Sequence, residues 1–576
     1  MNPRVTAVAL SASLLILVGA SVGPASPPAS VARLATIPIP GDERLVRIAR
    51  DVIAAKVALN PDLASSVGLY DDAIVVPSYS PAAVARQDAR FTADLAGLAK
   101  LETGPGKRWS VDERIDARWL RASAEIAHRQ LTVEKLWTHR YGEYLEPVGD
   151  AFISLTAYAP ERVDLRLKLA ALIPGMLVEM QAEVASPTSR DVTTGLGLLD
   201  GLQVAIDQLP DGAEKAGATK AIASTRTAMA ARVAPGAPAL PEFAVIGADN
   251  YGWRLQNELL LPWTAKGLLA RAESELTAVD AELSKLPAAA PAAPATPEQI
   301  AQATALDRDG FLQLYTGLVA NNLAALRAMK ILTVPADFPT MRARETPAAL
   351  VPLTGDGGSM NPPPAFGPPS DGWWNVEHFH PEMSLADRTA LITGVSAAST
   401  TGLGPYAAHE GVPGHHLQLS LLRGMDPIHT ILQDGSAVEG WALYAEQLFE
   451  ENGGYGTSDA AKAAMLRSYR VRIRRVYYDV NIESGTWTLQ QAADWKAGTE
   501  AGKTDPDPDV LRAINWPTQL ITYFAGKSQI LALKEEVKAK EGASYSERAF
   551  NDALLAEGPI PIALIRAKML RVPVPP

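Results

Sequence analysis

The stretch HEGVPGHH, His409 to His416, holds three of the chain's eight histidines. Histidine beside glutamate is how a zinc-hydrolase helix places one metal ligand and one general base: the imidazole holds the ion, and the carboxylate takes a proton from water. The second histidine ordinarily follows one helical turn later, but that place is taken by Pro413. Proline lacks an N–H and its ring clashes with the carbonyl four residues back, here that of His409, so the helix must bulge or break. Gly414 tolerates the backbone angles this requires. On an unbroken helix His415 would lie about 240° around from His409, while His416 would share its face about 10 Å along the axis. An inserted turn at Pro-Gly brings His415 to the second-ligand place; His416 competes for that role, and His415 is the preferred ligand.

Catalytic zinc commonly takes three protein groups and keeps a position open. Twenty-four residues beyond His415, Glu439 opens the helical run AVEGWALYAEQLFEE beside Gly440, where few atoms obstruct a neighbouring helix. Two packed helices could then supply His409, His415 and Glu439 and leave Glu410 as base. Alone, Glu439 would read as a carboxylate answering a helix dipole; with the histidines upstream it reads as a ligand. The chain has no cysteine, so a metal site must use histidine and carboxylate, and no thiolate nucleophile exists. His378 and His380 are expected on one face of a strand, as cleft or surface residues more than as an independent metal site.

These residues need a scaffold, and the dominant pattern from about residue 41 is helical: RLVRIARDVIAAKVALN, PERVDLRLKLAALIPGMLVEMQAEVA and LLARAESELTAVDAELSKL carry apolar residues at three-four spacing among charges. The expectation is an all-α fold with a small β element near the cleft, one large domain over residues 41–576 with the metal site within 402–450. The breaker GLGP, Gly402 to Pro405, is expected to precede a helix starting at Tyr406. Residues 286–299, rich in Pro and Ala, suit a connector, and the Gly/Pro-rich segment 353–372 reads as irregular. It leads into WWNVEHF, the best strand candidate, whose edge could hold an extended peptide.

Residues 1–25 have the make-up of an export signal: Arg4, a short apolar run, then small residues. Residues 26–40 are expected to form a flexible start to the mature chain, and no later stretch is apolar for long enough to span a bilayer. A periplasmic or secreted location follows. The net charge of −11 argues against a nucleic-acid partner.

The motifs HEGVPGHHLQ and EGWALYAE resemble those of the bacterial family catalogued as "domain of unknown function 885", relatives of zinc peptidases. SSVGLYDD, INWPTQLITYFAG (Ile514–Gly526) and FNDALLAEGPIPIALIR support the likeness. The resemblance implies a mainly helical fold related to the gluzincin metallopeptidases, with a deep cleft, Zn2+ on His409, His415 and Glu439, and Glu410 as base. WPTQLITYFAG is similar to the segment that gives helical gluzincins an oxyanion tyrosine, which makes Tyr523 the candidate, and a phenol can donate to a tetrahedral intermediate. Two positions depart from the pattern: Glu483 and Asn551 stand where histidines are expected. The function implied is an exported zinc metallopeptidase acting on short peptides. The alternatives are an amidase or esterase with a non-peptide substrate, and a peptide-binding relative that has lost catalysis.

Overall fold

Side-chain caps start many of the helices. Asp42 accepts from the Arg44 N–H, and Ser110 and Glu113 form a reciprocal capping box. Thr188 and Asp191 form another, so donors that a helix start leaves unsatisfied are filled locally. The computed structural model describes residues 32–103, 109–287, 294–348, 351, 356–498 and 508–576. The expected leader, 1–25, lies outside them, as do 26–31 and the stretch 288–293 of the Pro/Ala connector. The remainder of 26–40 carries a short helix, Ala32–Thr36, whose Leu34 is buried, and the Arg50 guanidinium donates to the Ile37 carbonyl at 2.7 Å.

The helices that matter for the site are α1 (Glu43–Leu59), α2 (Val111–Arg129), α3 (Gly142–Tyr158), α4 (Val163–Glu183), α5 (Ser189–Asp207), α6 (Ala213–Ala231) and α7 (Arg308–Met329). They continue with α8 (Leu403–Glu410), α9 (His415–Ser420), α10 (Gly435–Glu451), α11 (Asp459–Glu483), α12 (Pro508–Asn515), α13 (Thr522–Glu541) and α14 (Glu547–Ala556). The fold is mainly helical. One core runs from α1 and α2 through α7 to α8, α10, α11 and α13, with Trp119, Phe311, Trp374, Trp441 and Phe524 in it. A second, built on Tyr144, Phe152, Leu169, Ile173, Leu199 and Met229, joins α3 to α6.

Between α7 and α8 lies a sheet in the order β1-β3-β2, made of β1 (Met341–Glu345), β2 (Ser359–Asn361) and β3 (Gly372–Val376). β1 runs parallel to β3 with Met341 opposite Gly372, and β2 is antiparallel with Ser359 opposite Asn375. WWNVEHF is therefore strand only through Val376, and it is the central strand, with no free edge. The edges belong to β1 and to β2, the latter inside the segment read as irregular. Gly357 and Gly358, at φ 92° and 101°, let the chain double back onto β3, and these turn formers hide a three-residue strand. His378 and His380 lie past the end of β3: His378 Nδ1 sits 2.7 Å from Asp356 Oδ1, and His380 is exposed.

α10 and α13 cross at two glycines. A Cβ on Gly440 would come within 2.5 Å of Gly526 Cα, and one on Gly526 within 1.9 Å of the Ser436 carbonyl oxygen. The open face at Gly440 thus admits α13 rather than the histidine segment. No helix among the described residues is long and apolar enough to cross a membrane.

Candidate metal centre

The helix carrying His409 breaks, and does not merely bulge. α8 begins at Leu403, earlier than Tyr406, because Pro405 is tolerated in a first turn whose N–H groups have no intrahelical acceptor. It ends at Glu410. Gly414 N–H then donates back to the Ala408 carbonyl at 2.9 Å, the Val412–Pro413 peptide is cis, and α9 starts at His415. Only glycine fits at 414, since a Cβ there would lie 2.0 Å from the His409 carbonyl oxygen. Trp441 Nε1 donates to the Pro413 carbonyl at 3.0 Å and Gln418 Nε2 to that of Ala437 at 3.0 Å, fastening the turn to α10.

That turn brings His415 Nε2 to 3.2 Å and His409 Nε2 to 3.3 Å from Glu439 Oε2. The ligating atoms of His409, His415 and Glu439 all lie within 4.8 Å of one another. His416 points elsewhere. Its Nε2 lies 2.9 Å from the Pro339 carbonyl, to which it donates, and its ring meets Phe338 edge-on. Burial lowers its pKa to about 4, so it is a neutral imidazole tying α9 to the chain before β1.

The donors fit a metal ion. His409 Nδ1 lies 2.9 Å from Glu446 Oε1, an arrangement in which Nδ1–H donates and Nε2 keeps its lone pair. Glu446 is itself held by the Ser468 hydroxyl at 2.7 Å, with Arg472 4.0 Å away. Glu439 Oε2 is buried and receives no hydrogen bond, although two imidazole nitrogens crowd it. Lone pairs converging on one buried point repel unless a cation or a proton lies among them. Burial opposes an imidazolium at His409, yet Glu439 and Glu446 outweigh it and raise its pKa to about 10. Burial likewise opposes charge on Glu439, and His415 and His409 overturn it, holding this carboxyl well below its ordinary range. A histidine-histidine-carboxylate set with an open side suits zinc.

Glu410, the last residue of α8, is buried, and that burial raises its pKa against the pull of His409 and His415. It lines a cavity of about 250 Å³ together with His409, His415 and Glu439, the β2 residues Ser359 and Met360, and Arg512, Trp516 and Tyr523. Tyr523 stacks on His409 with ring centres 5.9 Å apart, and Arg475 covers it at 4.7 Å. Arg512 Nη2 donates to the Tyr523 hydroxyl at 3.4 Å. Glu446 and Arg512 escaped the sequence reading. Glu446 had a signal, since it stands two helical turns past Glu439 on the same face; Arg512, on a separate short helix, had none.

The two departures from the motif pattern do not line this cavity. Glu483 Oε2 accepts from the Ile246 N–H at 3.0 Å, and its pKa is raised to about 8 by burial. Asn551 accepts from the Tyr444 hydroxyl at 3.1 Å and donates to the Ile331 carbonyl at 3.0 Å.

Two solved structures share the fold. One is a candidate lipoprotein of unknown function from Shewanella oneidensis, 20% identical, with a TM-score of 0.68 over 91% of this chain and 99% of the other. The second is a candidate lipoprotein from Colwellia psychrerythraea, 16% identical, with a TM-score of 0.65 over 92% and 99%. No curated protein matches the chain. The model of one family, bacterial proteins of unknown function (DUF885), matches residues 61–569, and this chain belongs to that family.

Proposed function

We propose that the protein is an exported zinc-dependent peptidase that hydrolyses short peptides. One observation carries the reading: His409, His415 and Glu439 turn their ligating atoms to within 4.8 Å of one another at the wall of a cavity that Glu410 also lines. Zinc held by those three groups would supply Lewis-acid polarisation of a carbonyl and would acidify a water molecule.

The chain's own groups supply the rest. Glu410 takes the proton from the attacking water as its oxygen bonds to the carbonyl carbon, and returns a proton to the amine as the C–N bond breaks. Tyr523 lines the same cavity, and its hydroxyl donates to the developing oxyanion. Glu446 keeps His409 in the tautomer that leaves Nε2 free. The outer strand β2 lines the cavity through Ser359 and Met360, and an extended substrate can pair with such an edge.

The test is a tripeptide pool followed by mass spectrometry, with metal content measured on the same preparations. We expect one zinc per chain, cleavage that a chelator stops and zinc restores, and a Glu410→Gln variant that keeps its zinc while its rate falls about 10²- to 10⁴-fold. Undiminished cleavage by Glu410→Gln would sink the proposal.

A further inference from the structure

Three arginines approach the site, and two of them are neutralised. Arg475 lies over the Tyr523 ring and pairs with Asp509 at 2.8 Å, and Arg472 stands beside Glu446. Arg512, three residues after Asp509 on α12, faces the cavity, and among the described residues no carboxylate pairs with it. Its Nη2 donates to Gln519 Oε1 at 2.9 Å and to the Tyr523 hydroxyl at 3.4 Å, and its Nε is buried without a partner. Gln519 reaches with its other end toward Glu439 Oε1, 3.5 Å away, so one amide spans the guanidinium and the metal-facing carboxylate. The Trp516 ring, 5.6 Å from the guanidinium carbon, walls off the same side.

A half-buried guanidinium without a counter-charge is costly unless an anion arrives. Its planar fork matches a carboxylate, which it can bind through two parallel hydrogen bonds. Elsewhere the cavity presents Glu410 and Glu439, which repel an anion, so away from the metal position Arg512 is the cationic side chain among the cavity's lining residues. At about 250 Å³ the cavity is smaller than the usual range for small-molecule pockets, which suits the end of a peptide better than its middle.

We propose that Arg512, held by Gln519, receives the free terminal carboxylate of the substrate, so that the enzyme cleaves near the C-terminal end of short peptides. This inference rests on the peptidase reading, and its test separates the two. Zinc-loaded Glu410→Gln protein is mixed with a pool of tripeptides as free acids and the same pool as C-terminal amides, and the retained peptides are identified by mass spectrometry. The acids should be retained roughly 30-fold or more better than the amides. Adding Arg512→Met should remove that preference with zinc content unchanged, and Arg512→Lys should restore part of it. Equal retention of acids and amides, retention of neither, or an acid preference that survives Arg512→Met would overturn the assignment. Acid-selective retention alongside wild-type protein that cleaves neither pool would instead overturn only the peptidase reading.

Discussion

Trp516 is shared by two cavities of opposite character. On one side are the metal-facing groups; on the other is a larger space of about 420 Å³ lined by Glu143, Glu146 and Asp150 of α3 with Tyr79 and Trp137. Glu439 in the first is held well below its ordinary range, whereas Glu146 in the second is raised to about 7 and Asp150 well above the usual carboxylate value. Burial disfavours the charged form in all three. What differs is company: two imidazoles lie within 3.3 Å of Glu439, while Asp150 faces Asp62 and Glu146, and Glu146 has the Trp516 indole and the more distant Arg140 against Glu143. Carboxylates on one helical face thus lack what a metal site of this kind needs, and convergence with nitrogen lone pairs offers it.

The largest effect expected from this contrast is on metal content. His415→Ala should lose stoichiometric zinc, measured by elemental analysis, whereas Glu146→Gln should keep it; equal content in both would erase the distinction. The next is on stability against pH. Because the folded pKa of Glu146, about 7, exceeds the ordinary 4.5, the folded chain holds a proton that the unfolded chain releases. Stability from this group is complete below pH 4.5, falls as pH rises to about 7, and is constant above. At 1.36 kcal/mol per pH unit the loss approaches about 3 kcal/mol. Glu146→Gln, which still offers Trp516 Nε1 an acceptor, should flatten that part of a denaturant-midpoint profile. The smallest concerns Glu446, which only orients a ligand: Glu446→Gln should weaken zinc affinity about 10- to 100-fold in chelator competition without abolishing it.

Much of the candidate metal centre was readable from local chemistry. Adjacent His409 and Glu410 and the proline that forbids the ordinary spacing dictate a turn, and the choice of His415 follows from where that turn delivers the chain. Some local arguments pointed to the wrong neighbour. Gly440 does admit a helix, but that helix is α13, which carries Tyr523 in its first turn. Strand β2 went unseen because three residues between glycines and prolines show no period.

By itself, the sequence determined the helical build, an interruption of the helix at Pro413 and the residue types able to hold a metal, because periodicity, a missing N–H and side-chain donors are local properties. Tertiary structure decided that His416 turns to the Pro339 carbonyl, that Glu446 backs His409, and that Arg512 and Trp516 line the cavity. Those outcomes depend on which distant segments share a small buried volume, and pairwise distance across long stretches of chain leaves no periodic trace in the residues themselves.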